Sequence, residues 1–178
     1  MIPLRSALTE AAVLAVFLGG IAVSRALKRR WSAPEVVLMC SIGLLFELLT
    51  AHWWNYRNIF ILIPTPIDDD ISALFPLGWA GLMMIATPVA ERLRERWGLA
   101  RWWQGHLVMM GVWLVVGSIS EATFNAIGMI EYVDRPQLRL LLGQLPGLPP
   151  TIYMVGYAFL PALIAQIFRW LERSLKTP

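Results

Sequence analysis

Two glutamates, Glu47 and Glu121, each sit inside a hydrophobic stretch long enough to cross a bilayer. An ionisable side chain within a membrane span is expensive, so it faces a partner, a cavity or a substrate rather than lipid. Each lies about two to three helical turns before an aromatic exit, Trp53-Trp54-Asn55-Tyr56 in one case and Glu131-Tyr132 in the other. Two carboxyls in one low-dielectric pocket cannot both ionise easily, because burial and a neighbouring like charge each disfavour the charged form. One then keeps its proton near neutral pH, and a buried neutral carboxylic acid is a Brønsted acid. In an apolar chamber such an acid protonates an alkene or an epoxide. The resulting carbocation needs shielding from water and stabilisation by aromatic faces, and the chain carries 9 Trp, 7 Phe and 4 Tyr.

The other chemistries have little support. The single cysteine, Cys40, forms no intrachain disulfide, and with His52 and His106 expected near opposite ends of their spans there is no metal-ligand cluster. No Gly-rich phosphate loop, Gly-x-Ser-x-Gly elbow or basic stretch with base-stacking aromatics occurs. Neither a metal, an organic cofactor nor a nucleic acid is expected. Asp68-Asp69-Asp70 has the composition of a metal or diphosphate clamp. Three adjacent acids do not share a helix face, however, and acids preceding a span suit a helix N-terminus. Helix-start solvation is the favoured reading, with a cation or diphosphate role as the alternative.

The elements that position these residues follow from composition. Of 178 residues, 57% are hydrophobic and 15% charged, and the mean hydropathy is +0.59, well away from an ordinary soluble domain. A spanning helix needs about 20 apolar residues. Five segments qualify: Leu8–Leu27, Val36–Trp54, Ile71–Ala90, His106–Ile130 and Thr151–Leu171. The expected fold is all-α, one transmembrane domain of five helices. Glu10 near the start of the first segment, and Lys28-Arg29-Arg30 after it, reverse the charge order of a signal peptide, so that segment is read as a retained helix. Eleven of the 15 Lys and Arg residues follow helix 1, lie between helices 3 and 4, or end the chain. The positive-inside rule then puts the N-terminus outside and the C-terminus in the cytoplasm. The net charge of +3 reflects topology and anionic headgroups.

The chain also reads as a doubled hairpin, residues 36–90 and 106–171. Glu47 is followed 29 residues later by Pro76 and 12 further on by Pro88; Glu121 is followed 28 residues later by Pro149 and 12 further on by Pro161. Both units enter and leave the membrane in the same sense, giving a parallel repeat whose site is expected at the interface between repeats. Pro88 and Pro161 free backbone carbonyls in the returning helices. The long connections, about 55–70 and 131–150, carry apolar runs too short to span, suited to a lid at the outer leaflet. Around Glu47 the helical face carries Cys40, Gly43, Thr50 and Trp54; around Glu121 it carries Gly117, Ser118, Asn125, Gly128 and Tyr132. Counted back from Trp54 and Tyr132 at ~1.5 Å per residue, the glutamates lie roughly 10 and 16 Å below the outer interface, an offset that helix tilt can absorb.

Trp31, Trp97, Trp102, Trp103 and Trp170 suit a cytoplasmic aromatic belt, and Trp53, Trp54, Tyr56 and Tyr132 an outer one. Trp79, Trp113, Tyr153 and Tyr157 lie within or near the spans as cavity-wall candidates, with core packing as the alternative. Asn125, four residues beyond Glu121, is placed to orient it or to join helices.

Glu47 with Trp54-Asn55-Tyr56 and Phe75-Pro76-Leu77-Gly78-Trp79, then Glu121 with Asn125, Gly128 and Tyr132, resemble the small integral membrane proteins of isoprenoid metabolism: the lycopene cyclase domain, the carotenoid hydratases and the membrane terpene cyclases. The resemblance covers about residues 36–170, in a shorter chain without a Pro-Glu-Glu stretch. It implies that Glu47 and Glu121 supply the acid that starts cyclisation or hydration of a lipophilic isoprenoid. Trp54, Asn55, Tyr56, Trp79, Trp113, Asn125, Tyr132, Tyr153 and Tyr157 would then bind substrate. Two alternatives remain open. One is a proton- or cation-coupled carrier, which with five helices calls for a homodimer; the other is a non-catalytic membrane assembly partner. The expected location is a prokaryotic cytoplasmic membrane.

Overall fold

A computed structural model of the chain describes residues 4–50, 54–56, 62–63, 71–72 and 74–132, together with Phe159 and Leu163. Four helices dominate: α1 (Leu4–Ala26), α2 (Ala33–Thr50), α3 (Phe75–Arg96) and α4 (Trp102–Ala126). Short strands accompany them: β1 (Trp54–Tyr56), β2 (Leu62–Ile63), β3 (Ile71–Ser72) and β4 (Ile130–Tyr132). The fifth predicted span, Thr151–Leu171, lies outside the described residues except for Phe159 and Leu163, both helical and exposed.

Local chemistry sets the boundaries. Ser32-Ala33-Pro34-Glu35 starts α2: Glu35 accepts from the Ser32 N–H at 2.7 Å and the Ser32 hydroxyl accepts from the Glu35 N–H at 3.4 Å, a capping box with proline in the first turn. Pro76 likewise fixes the start of α3 at Phe75. This corrects one expectation: Ile71 belongs to β3, paired antiparallel with β2, and not to the helix. No acidic residue occupies the first turn of α3; Asp68-Asp69-Asp70 lie outside the described residues. At the other end α3 continues past Ala90 to Arg96. α4 begins at Trp102 rather than His106, and Gly128, with φ +71°, ends it. The Gly128 N–H donates to the Asn125 carbonyl and the Met129 N–H to that of Phe124, a Schellman cap in which glycine takes the left-handed position at no steric cost.

α3 is the central helix and packs on α1, α2 and α4. Along the α1–α3 contact Val13 meets Gly78, Phe17 and Gly20 meet Gly81, and Ser24 meets Met84. Both sequences advance together, so α1 and α3 run parallel. The approach is backbone to backbone: a Cβ on Gly20 would lie 2.5 Å from the Gly81 oxygen, and one on Gly81 2.6 Å from the Phe17 Cα. Small residues are what allow helices to come this close. Arg94 against Gly105 at one end, and Trp79 against Trp113 further along, make α4 antiparallel to α3. The 27–32 and 97–101 turns therefore share one end of the bundle. At the other end α2 and α4 lead into β1 and β4, which pair antiparallel with Trp54 opposite Tyr132 and Tyr56 opposite Ile130.

The outward surfaces are apolar. Leu8, Leu18, Val37, Leu45, Leu107, Val115 and Ile119 are each more than half exposed. Over Ala7–Ala26 and Trp102–Ala126, α1 and α4 are long and apolar enough to cross a membrane, and only 28% of either window is buried.

Pro88 sits buried inside α3 and has no N–H to give the Met84 carbonyl four residues back. The Ser24 hydroxyl of α1 donates to that carbonyl at 2.7 Å, and Trp31 Nε1 donates to Ser24 Oγ at 2.7 Å. The carbonyl freed by proline is thus taken by a neighbouring helix. Trp31, expected as a belt residue, is half-buried in this network, while Trp97, Trp102 and Trp103 are exposed around the 97–101 turn.

Candidate functional site

The two glutamates come together. Glu47 from α2 and Glu121 from α4 are 2% and 6% exposed and line one pocket. Its α3 wall is Phe75, Gly78, Trp79 and Leu82; Val13 and Val16 of α1 close one side; Ser120 and Phe124 of α4, with Met129 and Ile130 beyond it, close the other. All four helices converge here, near the end of the bundle that carries the β1–β4 pair. The one-turn offset anticipated in depth does not keep the carboxyls apart.

Trp79 holds the site. Its Nε1–H donates to Glu47 Oε1 at 2.6 Å, both residues being buried. Its ring is fixed by Phe46 at 4.7 Å and 56°, and by Trp113, stacked behind it at 6.4 Å and 25°. Gly43, one turn before Glu47, makes room for it: a Cβ there would collide with Trp79 Cβ and lie 2.8 Å from Cγ. A buried indole N–H needs an acceptor, and a buried carboxyl needs donors; each answers the other. The pocket's free volume is about 30 Å³, room for one or two water molecules. Among the described residues this is a small, partly open pocket with a hydrogen-bonded carboxyl in its wall.

The remaining predicted residues divide. Trp113 is buried in the second layer, behind Trp79. Asn125 is half-buried on the last turn of α4, and its neighbour Phe124, not Asn125 itself, lines the pocket. Trp54, Asn55, Tyr56 and Tyr132 are placed by backbone pairing in β1 and β4, their side chains lying outside the described residues, as do Tyr153 and Tyr157. Gly117 is buried on the Glu121 face, but Ser118 is exposed and Ser120 takes the pocket position. Gly128 has left the helix. His106 meets Phe159 edge-on at 5.3 Å; His52 lies outside the described residues. No group of three or more His, Cys, Asp or Glu side chains that could hold a metal ion occurs among the described residues.

Sequence reasoning passed over Phe75, Phe124 and Ser120 as pocket residues. It also used Glu10 only for charge order, whereas Glu10 is a third carboxyl buried in α1, three residues before the pocket residue Val13. The signal was present, since an acid near the N-terminal end of a long apolar helix invites the same question as Glu47. Compared with protein-family models, with curated proteins and with solved structures, the chain shows no match.

Proposed function

We propose that this is an integral membrane protein of five helices, with its N-terminus outside and its C-terminus in the cytoplasm, in which Glu47 and Glu121 act as one proton-donating site on a lipophilic isoprenoid. The observation that carries the reading is the meeting of two carboxyls from separate hairpins in one aromatic-walled apolar pocket. Membrane residence is supported by the exposed apolar faces of α1, α2 and α4 and by basic turns gathered at one end. The duplication is supported by the strand register: Tyr56 and Ile130, each nine residues after its glutamate, lie opposite one another. An antiparallel pair has a local two-fold axis, as a parallel repeat about the membrane normal requires.

Chemically, the protonated carboxyl transfers H⁺ to one alkene carbon or to an epoxide oxygen, leaving a cation on the adjacent carbon. Attack by an internal alkene followed by proton loss gives cyclisation; attack by water followed by proton loss gives hydration. Either way a proton returns to the carboxylate, and no oxidant or reductant is consumed. Trp79 orients Glu47, while Phe75 and Phe124 offer faces to the cation. The test is incubation of the purified protein in vesicles with polyunsaturated isoprenoids in D₂O. The expected product is isomeric with substrate or heavier by one water, with deuterium on carbon. Glu47→Gln and Glu121→Gln should each abolish it while unfolding behaviour is retained. Full turnover in both variants would exclude the acid role.

The pocket's size favours a second reading. About 30 Å³ accommodates water or a dehydrated cation without rearrangement, as a proton- or cation-coupled carrier needs. Solute uptake by protein-containing vesicles that follows an imposed pH gradient, with no isoprenoid turnover, would establish this reading instead.

A further inference from the structure

The turn between α1 and α2 carries a second site, at the end of the bundle away from the glutamates. α1 and α2 each pack on α3 and leave between them a groove of about 930 Å³. Its walls change character along its length. Phe17, Ile21, Val36 and Met84 make the inner part apolar, and Arg25, Lys28, Arg29 and Arg30 ring the mouth. Arg25, Lys28 and Arg30 have no ion-pair partner among the described residues. Arg29 is steered into place by Glu35 at 3.1 Å and by the Trp31 ring at 4.6 Å. Its Nε is buried and has no hydrogen-bond acceptor among the described residues, which is costly unless something supplies one.

A second observation is independent of charge. α1 ends in a Schellman cap, with Lys28 N–H donating to the Arg25 carbonyl and Arg29 N–H to that of Ser24. The same cap ends α3 at Gly98 and α4 at Gly128, φ +61° and +71°. Only α1, among these three, puts a side-chain-bearing residue in the left-handed position: Lys28 has φ +60°. A non-glycine residue held there is strained. The strained position carries one of the cations at the groove mouth, and strain of this kind collects at ligand clamps.

We infer that this groove binds an anionic phospholipid, its phosphate at the mouth among Lys28, Arg29 and Arg30 and an acyl chain along Ile21, Val36 and Met84. A phosphate is charge-complementary to Arg25, Lys28, Arg29 and Arg30 at the mouth, and the graded walls match an amphiphile rather than a free anion. A basic pocket between membrane helices on the cytoplasmic side is the chemistry that anionic headgroups recognise. The inference rests on the membrane reading above; a chain that stays soluble and monodisperse without detergent would overturn that reading and this one with it.

The test is titration of the full chain, in a neutral detergent, with phosphatidylglycerol, counting bound lipid by native mass spectrometry. Parallel arms use phosphatidylcholine, inorganic phosphate and farnesyl diphosphate. One phosphatidylglycerol should bind per chain, at least tenfold tighter than phosphatidylcholine. Lys28→Gly relieves the backbone while removing the cation, so it should fold at least as well as the parent yet bind about fivefold more weakly, the scale of one cation near an anionic headgroup. Arg30→Gln should weaken binding similarly, and Arg96→Gln, on the other basic turn, should leave it unchanged. Equal binding of phosphatidylcholine would overturn the proposal, as would undiminished binding by Lys28→Gly or an equal loss in Arg96→Gln. Displacement of the lipid by inorganic phosphate or farnesyl diphosphate at equal concentration would show a free-anion or prenyl-diphosphate site and also overturn it.

Discussion

Replacing Ser24 by alanine tests the assignment of the Met84 carbonyl to Ser24. In the parent, that carbonyl accepts the Ser24 hydroxyl at 2.7 Å because Pro88 has no N–H to offer. Ser24→Ala leaves a buried carbonyl without a donor, at about 1–3 kcal/mol. It also removes the acceptor of the half-buried Trp31 indole, a smaller loss because water can replace it. Pro88→Ala gives the helix an N–H that reaches the same carbonyl. In that background Ser24→Ala should cost about 1 kcal/mol less, a coupling of the size that residues sharing one hydrogen-bond network show. The assay is reversible unfolding in mixed micelles of a neutral detergent and dodecyl sulfate, followed by near-UV circular dichroism for all four members of the cycle. Equal costs for Ser24→Ala with proline or alanine at position 88 would refute the reasoning, since the serine would then not be replacing the missing N–H.

Further outcomes follow from the site. Gly43→Ala drives a methyl into Trp79 and should destabilise by about 1–3 kcal/mol, the usual range for overpacking. Gly111→Ala, with nothing within 4 Å, should stabilise by roughly 0.5–1 kcal/mol; the same unfolding assay compares them, and matching signs would contradict the packing described. Trp79→Phe keeps an aromatic ring but removes the donor to Glu47 and leaves a smaller side chain at a buried site; the lost hydrogen bond costs about 0.5–3 kcal/mol and the vacated volume adds to it, so the unfolding assay should show a loss larger than that of a surface substitution. On the proposed function, isoprenoid turnover should fall in Trp79→Phe without being abolished, because the variant disturbs the orientation of the acid and leaves the acid itself in place.

The glutamate pair was legible because a charge among apolar residues stands out wherever it occurs, and both side chains line one pocket. Their surroundings were less legible. β1 and β4 pair across 74 to 78 residues of sequence, from Tyr56↔Ile130 to Trp54↔Tyr132, and three-residue strands leave no periodicity to read. The ends of α3 and α4 were marked by Pro76 and Gly128, yet apolar content carried the predicted spans past both markers. Trp102 and Trp103, read as belt residues, stand exposed on the first turn of α4, a helix start the predicted span placed at His106. Ser24 offered no signal of its own; it becomes readable only once Pro88 is seen to free the Met84 carbonyl. The size of the pocket was beyond the sequence, because residue types fix a wall's chemistry but not the distance between walls.

The proposal that Glu47 and Glu121 form one proton-donating site is open to one direct measurement: the infrared carbonyl spectrum of the protein in lipid at neutral pH, recorded in H₂O and D₂O. An acid that donates a proton to substrate must carry one at rest, so the proposed function predicts a protonated-carboxyl band, and both Glu47→Gln and Glu121→Gln should shift or remove it. A spectrum without that band, or a band that either substitution leaves untouched, would contradict a common proton-donating site.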